Sequence, residues 1–376
     1  MLMKADLEKE KYTMDKNWIK TIVCFLACTQ IISCQMKNEI PKWTAEMCHP
    51  ANQYRVQMVK DEIFTLEGNH AGLPYGSSSG TWGDSGKMWT EQHGTPIGAD
   101  ITYYAGYDNA FYRLKIDLPV ERMRDLVRRN YASQEVKDKT IEEYKYEGDR
   151  DLQYIMNDAD AAYSSYHDFK GLIFGFAPKG MVVVWVNYGL TTIEIGRYQA
   201  KVITDPKELE IVKKKHLATW RFTPEYFDEL AEKLYNPDAN CLLWDMYRLR
   251  YNWRPVFTSE NSKFRLFKIN TEYYNGEKDQ LMRPWLLENK MRDRALPNVF
   301  QFFWETGKGE KFEGRIFFNQ DEIFKRFKDL TGDNEIQVKI AANNGDLEVL
   351  LNNEKLKVDS IRIYPNSNRE FNDSYK

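Results

Sequence analysis

A succession of residues in the first half of the chain returns in the same order in the second, and this constrains the fold more than any single motif. Trp43 followed by Tyr54-Arg55-Val56 has the spacing of Trp253 followed by Phe264-Arg265-Leu266, and each is followed by an aromatic strand (Ile63-Phe64; Tyr273-Tyr274) and a Gly. Pro96 with Ile101-Thr102-Tyr103-Tyr104 matches Pro297 with Phe302-Phe303-Trp304. Tyr112-Arg113-Leu114 matches Gly314-Arg315-Ile316, and a helix on Met123 and Leu126 matches one on Phe324 and Phe327. Gly180 to Val184 then aligns with Gly345 to Val349, and Asn187 with Asn352. Antiparallel folds reuse Trp, Pro and Gly at similar places, so the weight lies in the order of the matches. Two similar units are expected, each made of strands, a hairpin, a helix and a closing hairpin.

The local patterns give a β-rich α+β fold, mostly antiparallel, with a few helices. Tyr54–Met58 and Glu62–Leu66 alternate apolar and polar residues and read as two strands. Ala99–Gly106 and Ala110–Leu118 form a hairpin, and Pro119 opens a helix with Val120, Met123, Leu126 and Val127 on one face. Residues 132–170 are charged and Tyr-rich, a helical excursion. Leu172–Phe176, Met181–Tyr188 and Thr192–Val202 are nearly continuously apolar, which predicts a central sheet position covered on both faces. Helices are expected at Pro206–His216 and, capped by Thr223, at Pro224–Tyr235. The spans are 1–33 (a signal peptide), 34–42 (a tether), 43–204 (first unit), 205–250 (helical connection) and 251–376 (second unit).

The signal reading rests on Thr21 to Ile32. These are about 12 mostly apolar residues after a short charged start, too few to span a bilayer, which takes about 20. They end in Ile31-Ile32-Ser33-Cys34, a lipoprotein cleavage box, so Cys34 is expected to be the acylated first residue of the mature chain, attached to an envelope membrane. Residues 1–13 are unusual ahead of such a segment, which makes Met14 a candidate start. Of the five cysteines, Cys24 and Cys28 would leave with the signal. Cys48 and Cys241 remain, either as a disulfide or as two separate thiols, and spacing does not choose between these.

With 53 basic and 56 acidic residues, and a net charge of −3, the chain has no basic face for nucleic acid. A membrane, through Cys34, and an envelope protein or glycan are the expected partners. The Gly- and Ser-rich stretch from Asn69 to Pro96 is long for a connection, and such loops often carry function. Its Tyr75, Trp82 and Trp89 are the candidate contact residues, with folding of the loop back onto its own unit as the alternative.

Catalytic patterns fail on context. Gly76-Ser77-Ser78-Ser79-Gly80 matches G-x-S-x-G but lacks the strand before and helix after that a nucleophile elbow needs. Gly83-Asp84-Ser85-Gly86 resembles a serine-protease loop, with only His49 and His70 ahead of it in the mature chain. Asn157-Asp158-Ala159-Asp160 is acidic enough for calcium, yet Ala162 and Asp168 stand where an EF-hand needs Gly and Glu. The five histidines have no zinc spacing, so no metal and no cofactor are expected. Lys213-Lys214-Lys215 reads as a solvated last helical turn. An envelope hydrolase, the alternative to a binding protein, would draw its acid and base from residues such as Asp84, Glu91, Asp100 and Glu194. A third reading is an immunity-type lipoprotein against a delivered toxin.

The strings Pro96 to Pro119, Gly175-Phe176-Ala177-Pro178-Lys179-Gly180-Met181-Val182-Val183-Val184-Trp185 and Ile193-Glu194-Ile195-Gly196-Arg197-Tyr198 resemble the bacterial lipoproteins grouped as domain of unknown function 2931 (DUF2931). Leu296 to Phe327 extends the resemblance into the second unit. It implies a lipoprotein of the kind common in Bacteroidetes and brings no catalytic residues with it. At Ala342-Asn343-Asn344-Gly345 the second unit departs from the Ala177-Pro178-Lys179-Gly180 of the first.

Overall fold

The computed structural model divides into Met1–Ile40 and a compact body, Pro41–Lys376. The structure describes residues 40–74, 81–84, 89–126, 169–188, 191–282, 286–287, 289–307 and 309–368. Cys34, the signal segment, Tyr75, Ser78, Ser85 and residues 132–168 of the expected excursion lie outside the described residues, as does the acidic run at Asn157.

The first half carries β1 (Lys42–Cys48), β2 (Val56–Thr65), β3 (Ala71–Gly72), β4 (Trp89–His93), β5 (Pro96–Ala105) and β6 (Ala110–Asp117), then α1, helical over 120–126. It continues with β7 (Phe169–Ala177), β8 (Met181–Tyr188), β9 (Thr191–Gln199) and β10 (Lys201–Val202). Helices α2 (Pro206–Trp220), α3 (Pro224–Leu234) and α4 (Leu242–Tyr247) connect the halves. The second half has β11 (Tyr251–Ser259), β12 (Arg265–Tyr273), β13 (Lys278–Met282), β14 (Arg292–Arg294), β15 (Pro297–Glu305) and β16 (Lys311–Phe318). After α5 (Gln320–Phe327) come β17 (Asn334–Ile340), β18 (Leu347–Leu351), β19 (Glu354–Lys355) and β20 (Val358–Pro365). The fold is a β-rich α+β one, as the patterning predicts.

Strand pairing follows one scheme in both halves. β1 lies between antiparallel β4 and parallel β7, and β11 between antiparallel β14 and parallel β17. β2 is flanked by β3 and β5, and β12 by β13 and β15. The runs β5-β6-β10 and β7-β8-β9 have the same antiparallel order as β15-β16-β20 and β17-β18-β19. Even the bulges recur, between Met58 and Lys60 and between Leu266 and Lys268. Each half therefore places two five-stranded layers around one core.

The register corrects the finer equivalences. Met58 lies opposite Tyr103 and Leu266 opposite Trp304, so Met58, not Val56, is the counterpart of Leu266. Leu114 faces Ile101 and Gly314 faces Phe302, so Leu114 rather than Tyr112 corresponds to Gly314. Tyr112 stacks on Tyr103 as Phe312 stacks on Trp304. Asn187 sits inside a strand opposite Thr192, whereas Asn352 is in a turn at φ 51°. Two expected strands at 54–66 are one, because Val56–Thr65 pairs along nearly all of β5 around its bulge. The long Asn69–Pro96 loop contains β3 and β4.

The halves join edge to edge. Lys278 of β13 pairs with Thr192 of β9, giving one sheet of ten strands in the order β20-β16-β15-β12-β13-β9-β8-β7-β1-β4. Leu172, Phe174, Val182 and Val184 point into the first core, while Ile173, Met181, Val183 and Trp185 on the opposite face belong to the second. Thus β7 and β8 are covered on both sides, the position their continuous apolar character requires.

Helices α2 and α3 cover the outer face of β2, β5 and β6. Asp205 and Thr223 accept from Glu208 N and Tyr226 N as N-caps, with Pro206 and Pro224 in the first turns. The longer α2 places Lys213 to Lys215 mid-helix, where Lys213 reaches Asp228 and the Phe227 ring instead of closing the last turn. Fully buried His216 sits among Tyr104, Phe111 and Phe227 and meets Gln57 Oε1 at 2.9 Å. Burial pushes its pKa down to about 4, and that of His49 to about 4 as well. Both folded values lie below the unfolded value of about 6.5. Their stabilisation is therefore complete above pH about 6.5 and is lost as pH falls towards 4. Unfolding free energy by urea is expected to fall over this range, and the slope to be shallower in His216→Phe. An unchanged slope would remove His216 from this account.

Candidate functional site

Trp82 is where the sequence's candidate loop meets the rest of the molecule. Its ring stands edge-on to Trp185 at 4.9 Å and lies 6.4 Å from Trp244 at 50°. Gly175 leaves room for it, since a Cβ there would lie 2.8 Å from the Trp82 ring. Of the two readings open for the loop, this part folds back onto the body. It still lines a cleft of about 530 Å³, with Tyr54, Trp244, Tyr247, Tyr273 and Tyr274 among the walls. Trp89 forms part of β4, opposite Glu46 of β1. The loop thus contributes Trp82 to the cleft, whereas Tyr75 is not among the described residues.

Two glycines fix this geometry. Gly83 (φ +82°) and Gly276 (φ +86°) meet backbone to backbone, and a Cβ on Gly83 would lie 2.2 Å from the Gly276 carbonyl oxygen. Gly83 N donates to Cys48 Sγ at 3.3 Å, and Lys278 Nζ reaches Asp84 Oδ2 at 2.6 Å. One short stretch is thereby tied to β1 of the first half and β13 of the second.

Below the cleft runs a polar seam. The Glu277 carboxylate, 1% exposed, accepts from Glu194 N at 3.1 Å, Arg250 at 2.7 Å and Asn275 Nδ2 at 3.1 Å. Arg248 holds Glu194 at 2.6 Å, and Arg197 holds Asp245 at 3.1 Å. A buried carboxylate is tolerated only when paired and hydrogen-bonded in this way.

Cys48 and Cys241 are free thiols, so the separate-thiol alternative is the one present. Burial pushes the Cys48 thiol up to about 12. Burial also raises Cys241, helped by the charge of Asp245 beside it. Neither environment favours a thiolate nucleophile.

The acid/base candidates stand in separate pairings. Asp84 is bound to Lys278 and Glu194 to Arg248, while Glu91 lies 3.4 Å from His93 on β4. Asp100 sits on the outer face of β5, where Arg113 and then Lys60 hold its carboxyl down to about 2. No group of three or more His, Cys, Asp or Glu suited to a metal occurs among the described residues. No helix among them is long and apolar enough to cross a membrane.

A larger cleft of about 1090 Å³ opens along β18 and β20, with Lys339, Lys355, Lys357 and Glu322 around Leu347 and Ile361. It lacks aromatic side chains. The junction cleft combines ring surfaces with polar groups, and sequence reasoning found only Trp82 of it. Trp244 and Tyr247 lie on a six-residue helix whose spacing carries no functional signal.

Residues 150–236 match the family model described as Protein of unknown function (DUF2931). The expected resemblance is therefore present over β7 to β10, α2 and α3, the span that holds Gly175 to Trp185 and Ile193 to Tyr198. The stretches at Pro96–Pro119 and Leu296–Phe327 fall outside the matched residues. Searches of curated proteins and of solved structures gave no match.

The glycine contact predicts a difference between two otherwise similar substitutions. Gly83→Ala is expected to cost about 3 kcal/mol or more in urea unfolding, from the left-handed φ and the clash together. Gly332→Ala has φ +71° but nothing within 4 Å of its Cβ, and should cost only about 1–2 kcal/mol. Equal costs would mean that the Gly83–Gly276 approach does not hold the loop.

Proposed function

We propose that this protein is a non-catalytic binding protein of a bacterial cell envelope, attached to the membrane by acyl chains on Cys34, and that it takes its ligand in the cleft between its halves. The observation carrying this is a contrast in side-chain commitment. Asp84, Asp100 and Glu194 are each neutralised by a cation, so none is poised as a general acid or base. The cleft, in contrast, is lined by Gln53, Glu272 and Asn298, whose side chains make no hydrogen bond to a described residue, beside aromatic rings. Aromatic surface with a few unpaired polar groups is the usual make-up of a small-ligand site. The apolar run ending at Cys34 supports the anchor and the location.

Both parts have a direct test. In cells fed an alkyne analogue of palmitate, the wild-type protein should carry the label, and Cys34→Ala should lose it and keep the mass of the uncleaved precursor. A Cys34→Ala protein labelled and processed like wild type would sink the anchor. Native mass spectrometry of protein purified from its own envelope in mild detergent should show a bound non-protein mass that is absent from Trp82→Ala. A wild-type protein free of any such mass counts against the cleft.

A further inference from the structure

We infer that the junction cleft is a subsite for a neutral saccharide of one or two sugar rings, a reading that rests on the cleft being the ligand site. The hydroxyls of Tyr247, Tyr273 and Tyr274 are already engaged with Gln320 Oε1 at 2.6 Å, Asp279 Oδ2 at 3.0 Å and the Phe318 carbonyl at 2.8 Å. These three tyrosines have no free hydroxyl to offer and line the cleft with their rings, Tyr247 and Tyr273 being largely buried, and Trp82 and Trp244 add two indoles inclined at 50°. Such surfaces suit the C–H faces of a sugar ring.

The uncommitted polar groups narrow the class further. Trp82 Nε1 is buried with no hydrogen-bond partner among the described residues, and an indole N–H can only donate. A ligand group that reaches it must therefore accept, which a quaternary ammonium group cannot do. Gln53 and Asn298 can both donate and accept, and Glu272 accepts; sugar hydroxyls do both and satisfy all of them. An acyl chain would leave these groups unsatisfied, at a cost of about 1–3 kcal/mol for each one it buries. An anion would meet Glu272, while the lining cation, Lys278, is bound to Asp84 and Arg250 to Glu277. The volume of about 530 Å³ lies within the usual range for a small-ligand pocket.

The test titrates full-length protein in detergent micelles with cellotetraose, mannotetraose, xylotetraose, maltotetraose and chitotetraose, alongside choline and palmitate. Calorimetry and tryptophan fluorescence are the readouts. At least one saccharide should bind with Kd between about 1 μM and 1 mM. Trp244→Ala should weaken it about tenfold or more, and Gln53→Ala or Asn298→Ala about threefold. Trp82→Phe keeps a ring against Trp185 but loses the N–H together with part of the indole surface, so weaker binding with an unchanged melting temperature reads a lost ligand contact rather than misfolding. Saccharide binding indifferent to all four substitutions overturns the assignment. Choline or palmitate binding that depends on Trp82, with every saccharide silent, overturns the sugar but leaves the cleft as the ligand site. No binding by any probe overturns both.

Discussion

A sheet edge is a row of unpaired N–H and C=O groups, and in this protein two such edges meet at β9 and β13. The rest of the body depends on that meeting. It turns two layers from different halves into one sheet of ten strands and brings the second core against the far face of β7 and β8. It also requires the buried carboxylate of Glu277, which accepts from the β9 backbone at Glu194 while Arg250 and Asn275 satisfy its other lone pairs. Withdrawing one partner would leave charge stranded in the junction, so the seam is specified by a network and not by apolar contact alone.

Much of the fold was legible in the sequence because its signals are periodic and repeated. The apolar runs at Leu172–Phe176 and Met181–Tyr188 require cover on both faces, which the junction supplies. Pro96 and Pro297 both open strands, opposite Thr65 and Tyr273. The residue-by-residue equivalences were less legible, slipping by two at Val56 and Tyr112. A pleated strand repeats every two residues, so a shift of two keeps each side chain on its face and leaves the apolar pattern unchanged. Only hydrogen-bond register, with the bulges at Met58/Lys60 and Leu266/Lys268, separates the alternatives.

The halves differ where helices are concerned, and here the sequence held a signal in two residue pairs. Tyr104 faces Phe111 on the outer side of the first half, and both pack against His216 and Phe227. At the corresponding place in the second half Glu305 faces Lys311. An exposed aromatic pair needs a cover and an opposite-charge pair does not, and α2 and α3 supply that cover to the first half. The site was far less legible. Its walls come from positions distant in sequence, Tyr54, Trp82, Trp244 and Tyr274, and no spacing rule connects them.

The cleft also lies where the repetition fails. Its indoles stand on the stretch between β3 and β4, longer than the corresponding stretch between β13 and β14, and on α4 in the connection between halves. The extra length of the first stretch and the connection itself have no equivalent in the other half. Residues shared by both halves are occupied with the task both halves have, filling a core between two layers: Trp43 and Trp253 each donate to a carbonyl just beyond β4 or β14, and Tyr103 and Trp304 each stack on a cross-strand ring. Trp82 and Trp244 have no counterpart in the other half, and both pack against the second core, 6.4 Å apart, where they line the cleft. In a body whose halves share one strand-pairing scheme, the seam is where that scheme no longer constrains the sequence and where the geometry exists only once.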